Sequence, residues 1–484
     1  MAEIYLNEQY WVLCGLEQLL KPSSLARQID AYVFAQPWGH LSVIEGEGID
    51  ADGFDCEKAH QRVITRVAEL ARAASKDDAL LGELIPRLLS DGSGQQYFFG
   101  RYLAESTPDV SGRWSVLREA FSLVEPEKRS TRFLTGFIDG AARVDASATS
   151  RILDDAISDA VLATHFPELQ ESQEDPAAAR RLIASLDFGV APASRFGWHV
   201  VRWKGDPTSF SVYRQLVLRL AAKPDGYAPA IDSLGMEFHQ CATRNEPIDD
   251  GLRALGREVL ALHSFDHKSN PSFDHHIETI AEVCLRGAQA TTLAAQLSQR
   301  FAEALRNYGS RASDFKKLAC ALFKHHPISA LDAFLGDGAT ADRSPALWRL
   351  SMTRESPVNC ANDDALLAWA EVDPTTRIPL LAAEIRIHAK SVDGGLTWSP
   401  IAARLLDIAT DKTPVLNAMS LHFRLSGWMG SLADALRPYV EMAEQLARSP
   451  DGVVALWAEA QLAQMNERVT SDSQLHRVSD ERFE

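Results

Sequence analysis

The sequence predicts an all-α protein built from stacked helix pairs, an α-solenoid. Apolar residues recur at helical spacing in almost every segment, and the two-residue alternation that is typical of β-strands is nearly absent. Clusters of proline and glycine separate the helical segments, so that units of roughly 35–45 residues can be drawn, a period typical of helical repeats. The chain has 484 residues, of which 46% are apolar. It is therefore long enough to bury a continuous core.

Three regions are expected along the chain. Residues 1–112 form an N-terminal helical region that contains an irregular Gly- and Asp-rich loop at 34–55, with one short strand possible at "HLSVI". Residues 113–466 form the repeat array, with roughly nine to eleven degenerate helix pairs. Residues 467–484 are polar and lack the helical period, which predicts a capping or linker tail.

Individual helices within the array are predicted from the same period and from the breakers between them. These helices lie near 113–123, 130–144, 149–162, 176–186, 192–204, 208–222, 227–243, 248–263, 274–287, 290–307, 313–323, 326–335, 363–371, 376–390, 399–409 and 414–425.

The last helix pair shows the pattern most clearly. Residues 431–447 and the segment "VVALWAEAQLAQM" each carry one apolar stripe, and "RSPDG" between them supplies a helix stop, a proline and a turn glycine. Two amphipathic helices joined by a tight turn cannot bury their apolar faces alone. Each pair is therefore expected to stack on its neighbours.

This last pair resembles a HEAT-type hairpin. The resemblance rests on Pro438 in the first helix, Asp451 and Val453 at the turn, and Ala458 at a close-packing position in the second helix. Residues 114–140, followed by "LDDAISDAVLATHFPELQ", are similar to degenerate helical-repeat regions of large bacterial proteins. Some of those carry an NTPase module and act in phage defence, so the resemblance implies a recognition region. The P-loop motif of an NTPase is absent from the sequence.

Glycines inside the predicted helices point to close helix packing. Gly100 and Gly136 lie in similar aromatic surroundings, and Gly140 follows one turn later. A glycine inside a helix costs about 1 kcal/mol relative to alanine. Close approach between neighbouring repeats would offset this cost at Gly136 and Gly140, so we expect these two positions to be packing contacts.

Charge and composition disfavour several function classes. The formal net charge of −17 repels phosphate backbones, so nucleic acid is not an expected partner, although a DNA-binding helical repeat remains an alternative. No apolar run approaches the roughly eighteen residues of a membrane-spanning helix, and a cytoplasmic protein is expected. The six cysteines form no C-x-x-C pair and are expected to be reduced, packed thiols.

The stretch "SFDHKSNPSFDHH" is the strongest candidate for a metal centre. With His263 it offers Asp266, His267, Asp274, His275 and His276, and Asp-His-His is a motif of a manganese-dependent phosphoesterase family. That family places the motif after a buried strand, whereas "KSNPS" precedes it here. A loop whose Ser272 or Asp274 caps the next helix fits the residues better. A metal-dependent hydrolase is kept as the alternative function.

The candidate binding face is a basic and aromatic segment, "SRFGWHVVRWKGDP". It is unusual in an acidic chain, and Trp with Arg is typical of interface hot spots. The proposed contact residues are Arg195, Trp198, His199, Arg202 and Lys204. A structural interpretation competes with this one, in which Phe196, Val200 and Trp203 form a buried stripe. A weaker basic patch contains Lys316, Lys317 and Lys324.

These observations predict a non-catalytic scaffold or sensor surface for a protein or peptide partner, which could be another domain of a longer chain. No catalytic residue, metal or cofactor is predicted, because no triad, zinc motif or nucleotide loop occurs in the sequence.

Overall fold

The computed structural model describes residues 24–34, 56–90, 92, 94–171, 177–197, 207–265, 271–307, 315–336, 344–351, 356–390, 395–423, 425 and 431–483. In these ranges the protein is all-α except for one two-stranded hairpin. The predicted all-α class is confirmed. The chain divides into two compact units between Ser233 and Leu234.

The described part of the first unit is helical. Its helices are α1 Leu25–Ile29, which a π-helical turn Asp30–Phe34 continues, α2 Cys56–Ala74, α3 Asp78–Leu88, α4 Gln96–Glu105, α5 Val110–Leu123, α6 Arg132–Val144, α7 Ala146–Ala156, α8 Phe166–Gln170, α9 Ala178–Phe188 and α10 Pro207–Ala221. The division between the units falls within α11, Tyr227–Thr243.

The second unit contains the remaining helices and the hairpin. They are α12 Asp250–Ala261, α13 Pro271–Cys284, α14 Thr291–Arg306, α15 Lys316–His325, α16 Pro327–Leu331, α17 Pro345–Ser351, α18 Asp363–Val372, α19 Pro374–Ala382, β1 His388–Lys390, β2 Leu396–Trp398, α20 Pro400–Ile408, α21 Lys412–Met419, α22 Leu432–Leu446 and α23 Gly452–Phe483. The strands are antiparallel, with His388 opposite Trp398.

Side-chain capping explains many of the helix starts. Asp77, Asp109 and Asp145 each accept a hydrogen bond from a backbone N–H of the helix that follows. Asp249 and Ser399 do the same in the second unit. These bonds satisfy backbone donors that have no partner inside the helix.

In the first unit, α4 and α6 pack closely against each other. A Cβ atom on Gly100 would overlap the carbonyl oxygen of Phe133, and a Cβ on Gly136 or Gly140 would overlap a backbone carbonyl of α4. The expectation that Gly136 and Gly140 serve close helix packing is confirmed, and Gly100 takes part in the same contact. Gly100 and Gly136, which the sequence relates as similar positions of two hairpins, lie in two helices that pack directly on each other.

An aromatic cluster forms part of the core of the second unit. Phe265 stacks on Phe301 with ring centroids 4.6 Å apart, and Phe315 and Phe334 meet Phe301 edge-on. These rings come from α14 and from the segments that flank α12, α15 and α16. Because these rings are buried against one another, they hold the ends of several helices together.

Several predicted elements differ from the structure. The described start of the helix expected at 192–204 forms only the 3₁₀ turn Ala193–Arg195. The helix predicted at 376–390 ends at Ala382, and residues 388–390 form β1. Ile385 and Ile387 are buried while Arg386 is exposed, so a two-residue alternation replaces the helical period there. The predicted polar tail at 467–484 continues α23 as far as Phe483. Glu, Gln, Arg and Leu in this segment favour a helix although Ser, Thr and Asp do not, and helix propensity does not require an apolar stripe.

The start of α13 also differs from the prediction. Ser272 and Asp274 were expected before the helix, but the helix already begins at Pro271 and includes both positions in its first turn. Proline suits the first helical position, since its missing N–H is not needed there. The loop predicted at 34–55 lies almost entirely outside the described residues.

Candidate functional site

A groove in the second unit is open to solvent between α21 and α23. It has a volume of about 480 Å³. One wall is formed by Thr413 and Asn417 of α21 and by Ser420 just after it, and the other by α23. We call it the α21–α23 groove.

The wall formed by α23 is apolar at its N-terminal end. Leu456 exposes 70% of its surface and Val453 exposes 46%, although both are large apolar residues. On the opposite side of the same helix, Val454, Ala458 and Met465 are buried. The helix therefore carries one buried apolar stripe and, at its start, a second apolar surface that faces solvent.

Hydrogen bonds fix the floor of the groove. Trp457 Nε1 and Gln461 Nε2 donate to Ser420 Oγ over 2.8 and 3.1 Å, and Ser420 Oγ donates to the carbonyl oxygen of Leu416 over 3.0 Å. This network joins α23 to the end of α21, because the two donors and the acceptor come from different helices. It holds both walls at a fixed separation.

The amides on the rim are free for other contacts. Asn417 and Gln464 are exposed, and within the described part of the chain their side chains make no hydrogen bond. No described residue that lines the α21–α23 groove carries a charge. A comparable groove between α5 and α7, in the first unit, is instead crossed by the ion pair of Arg118 with Asp159 at 2.9 Å.

A smaller recess adjoins the α21–α23 groove, with which it shares Gln461 and Gln464. Its volume is about 170 Å³, and its other lining residues are Phe423, Met465 and Arg468. We call it the Arg468 recess. Phe423 and Met465 are buried, so the guanidinium group stands beside an apolar wall.

Only one of the five residues proposed for the basic and aromatic binding face is described. Arg195 follows α9 in a 3₁₀ turn, Ala193–Arg195, and Phe196 beside it is fully buried. Arg195 Nη1 lies 2.5 Å from Glu168 Oε1 and 3.0 Å from His165 Nδ1, so its charge is already paired. Trp198, His199, Arg202 and Lys204 lie outside the described residues, as do Val200 and Trp203 of the competing stripe.

His165 beside Arg195 is a buried neutral histidine. Burial lowers its pKa to about 4, and the charges of Arg195 and Arg129 act in the same direction. Its ring meets Phe121 edge-on at 5.6 Å. Arg195, Glu168, His165 and Phe121 therefore form a packed cluster within the first unit.

The described histidines of the candidate metal stretch lie in different environments. His263 is fully buried with its ring centroid 4.3 Å from that of Phe265. His275 is exposed, with Nδ1 3.9 Å from Glu278 Oε2. His276 is buried against Gly235, where a Cβ atom would overlap its ring.

Asp266 and His267 lie outside the described residues, and the side chain of Asp274 is not described either. Among the residues that are described, no group of three His, Cys, Asp or Glu side chains is arranged to hold a metal ion. The placement of His263, His275 and His276 gives no support to the alternative of a metal-dependent hydrolase.

Two of the three lysines of the weaker basic patch pair with carboxylates of α13. Lys317 Nζ lies 2.5 Å from Glu278 Oε2, and Lys324 Nζ lies 2.7 Å from Glu282 Oε1. Burial raises the pKa of Glu282, but hydrogen bonds from Lys324 and Arg286 outweigh this effect and lower the pKa to about 2. These lysines bind a neighbouring helix of the same unit.

The expectation of reduced cysteines is wrong for one pair. Cys320 in α15 and Cys360, which are 40 residues apart in sequence, form a disulfide with a Cα–Cα distance of 5.4 Å. The sequence separation gives no hint of this contact, which depends on how the segment after α17 returns to α15. Cys241 and Cys284 are buried free thiols, and burial raises the pKa of Cys284 to about 12.

Sequence reasoning missed the α21–α23 groove. The signal was present in "VVALW", which holds more apolar residues than one buried stripe requires. The stripe predicted for this helix was Val454, Trp457, Ala458, Leu462 and Met465. Four of these residues are buried, and Leu462 is partly exposed. Val453 is expected at the turn of the hairpin, and Leu456 belongs to no predicted stripe.

The fold and the groove define an all-α protein of packed helices with an open surface groove. Comparison of the chain with protein-family models, with curated proteins and with solved structures found no match. No helix among the described residues is long and apolar enough to cross a lipid bilayer.

Proposed function

We propose that this chain is a non-catalytic binding protein that holds a peptide segment of a partner protein in the α21–α23 groove. The observation that carries the proposal is the exposure of Leu456 and Val453 along an open groove whose floor is fixed by Ser420, Trp457 and Gln461. Burying a leucine side chain of this kind gains about 2 kcal/mol. A pre-formed groove also avoids the cost of ordering the site on binding.

The helical packing and the HEAT-like hairpin support a repeat array as the scaffold. In such arrays the helices of successive pairs stack side by side, and grooves form between them. The contact between α21 and α23, with α22 between them in sequence and packed against α23, supports such an arrangement. Ala458, the close-packing position of the resemblance, is fully buried.

The resemblance to helical-repeat regions of bacterial defence proteins supplies a biological setting for the proposal. In that setting the partner is a phage or host protein, or another domain of a longer chain. The basic segment that contains Arg195, Trp198, His199, Arg202 and Lys204 remains a second proposed contact surface. For Arg195 to take part, it has to leave Glu168.

The groove is tested with short random peptides displayed on yeast and captured by the purified full chain. Ala460 lines the groove and is exposed, whereas Ala463 is exposed on the same helix and does not line it. Ala460→Arg and Ala463→Arg are therefore matched variants, and arginine is a good helix former.

We expect wild type and Ala463→Arg to capture the same peptides. Ala460→Arg is expected to weaken their binding about ten-fold or more, which corresponds to about 1.4 kcal/mol. Circular dichroism verifies that both variants keep the helical content of the wild type. Equal capture by Ala460→Arg and wild type, or no capture by the wild type, would contradict the proposal.

A further inference from the structure

The two ends of the groove differ in chemistry. The N-terminal end of α23 presents the aliphatic side chains of Val453 and Leu456, and the Arg468 recess lies at the other end. Leu456 and Arg468 are twelve residues apart on one helix, which corresponds to about 18 Å along the helix axis. The amides of Asn417 and Gln464 lie between these ends.

Arg468 has capacity for a further partner. Its Nη2 donates to the carbonyl oxygen of Leu425 over 3.5 Å, and it forms no ion pair with the carboxylates that the structure describes. Several other arginines do form such pairs, among them Arg113 with Asp78 at 2.7 Å and Arg181 with Asp154 at 2.7 Å. Arg468 is half-buried, so its charge is partly shielded from water.

An anion in the Arg468 recess would be attracted strongly. The apolar walls formed by Phe423 and Met465 lower the local dielectric constant, which strengthens the attraction between opposite charges. The planar guanidinium group matches a carboxylate with two parallel hydrogen bonds. The formal net charge of −17 repels anions at long range. An acidic group is therefore attracted only when it is close to Arg468.

The middle of the groove suits an uncharged stretch of peptide. The free amides of Asn417 and Gln464 can donate to and accept from a peptide backbone. No charge among the described lining residues would compensate a charged side chain placed there.

Resting on the proposed function, we infer that the partner segment carries an aliphatic side chain at one end and an aspartate or glutamate at the other. The aliphatic side chain covers Leu456 and Val453, and the carboxylate pairs with Arg468. An extended chain rises about 3.3 Å per residue, so about five residues separate the two anchors. The intervening residues are uncharged.

The test uses the same displayed peptides, with their C-termini fused to the display protein so that only a side chain can supply the carboxylate. Selections are run on wild type, on Arg468→Glu and on Arg448→Glu. Arg448 is exposed after α22 and does not line the groove, so its variant is matched in charge. Peptides that Ala460→Arg still binds are discarded before the sequences are compared.

We expect wild type and Arg448→Glu to enrich acidic residues about five positions from an aliphatic residue. Arg468→Glu is expected to lose this enrichment or to replace it with lysine and arginine. Groove-dependent peptides without acidic enrichment, or with the same enrichment in Arg468→Glu, overturn the inference and leave the proposed function standing. Absence of groove-dependent peptides in the wild type removes the proposed function itself.

Discussion

Gly136 packs directly against the backbone of Tyr97, so that α4 and α6 approach more closely than side chains would permit. A Cβ atom on Gly136 would overlap the carbonyl oxygen of Tyr97, and neither backbone can move without shifting a whole helix. Around this contact Tyr97 Oη donates to Asp139 Oδ2 over 3.1 Å, and Arg101 lies 3.5 Å from the same carboxylate. Burial raises the pKa of Tyr97 to about 12, and the Asp139 carboxylate acts in the same direction.

We therefore expect Gly136→Ala to lower the free energy of unfolding by about 3 kcal/mol, measured by chemical denaturation. The control is Gly82→Ala in α3, where a Cβ atom meets nothing within 4 Å. Replacing an exposed helical glycine with alanine favours the helix, so Gly82→Ala should raise the same quantity by about 1 kcal/mol. Equal effects of the two substitutions would show that the α4–α6 contact is not close.

The disulfide between Cys320 and Cys360 restricts the unfolded chain. It closes a loop of 40 residues, for which the chain-entropy estimate is about 4 kcal/mol of stabilisation. Unfolding of the wild-type chain should therefore become easier in dithiothreitol, and Cys360→Ala should be insensitive to the reductant. Cys241→Ala serves as the control, because Cys241 is a free thiol and its removal should leave the reductant effect intact. A wild-type midpoint that dithiothreitol does not change would argue against the bond.

The helical period was sufficient to predict α11, whose bounds 227–243 agree with the structure, and to place most helices of the second unit within a few residues. The apolar period did not predict helices whose start is decided by a single residue such as proline. No helix is predicted between 335 and 363, yet α17 begins at Pro345, the last residue of the segment "FLGDGATADRSP". Proline is compatible with a helix start as well as with a break, and spacing alone does not separate the two.

The candidate site shows a different limit. From the sequence alone Arg195 is predicted to be unpaired. Its partners Glu168 and His165 are about thirty positions away, and only the fold brings them together. The same holds for Lys317 and Lys324, whose partners Glu278 and Glu282 lie in another helix. A groove is still harder to predict, because it depends on the separation of two helices rather than on any residue type.

The pairing of Arg195 makes a prediction about His165. Removing the guanidinium group in Arg195→Gln should raise the pKa of His165 above about 4, because a repelling charge is lost and Glu168 is left nearby. The pKa should stay below 6.5, since burial is the largest cause of its depression. The measurement is an NMR titration of the imidazole C–H signals. Arg219→Gln, which breaks an exposed ion pair with Asp187, should leave this titration unchanged.

The same pKa sets the direction of a stability change with pH. His165 is neutral in the folded protein down to about pH 4, whereas in the unfolded chain it takes up a proton near pH 6.5. Its contribution to stability is therefore present above pH 6.5 and is lost as the pH falls through about 4. Arg195→Gln should make this part of the pH dependence shallower. A steeper dependence would contradict the assigned cause.

The floor of the α21–α23 groove depends on the hydroxyl group of Ser420. Ser420→Ala leaves Trp457 Nε1 and Gln461 Nε2 without this acceptor, and both residues are more than nine-tenths buried. Loss of a buried hydrogen bond of this kind costs about 2 kcal/mol, so the free energy of unfolding should fall by that amount. Peptide capture should weaken as well, because the two walls are no longer held together.

A double-mutant cycle separates the hydrogen bond from general loss of packing. Trp457→Phe removes the indole donor and keeps an aromatic ring, so Ser420→Ala should cost about 1 kcal/mol less in that background than in the wild type. Leu456→Ser tests the effect on peptide binding separately from any effect on stability. Because Leu456 is mostly exposed, this variant should change the free energy of unfolding by less than about 0.5 kcal/mol while weakening peptide capture. Additive effects of Ser420→Ala and Trp457→Phe would mean that the hydroxyl and the indole do not interact, and that packing alone holds the groove open.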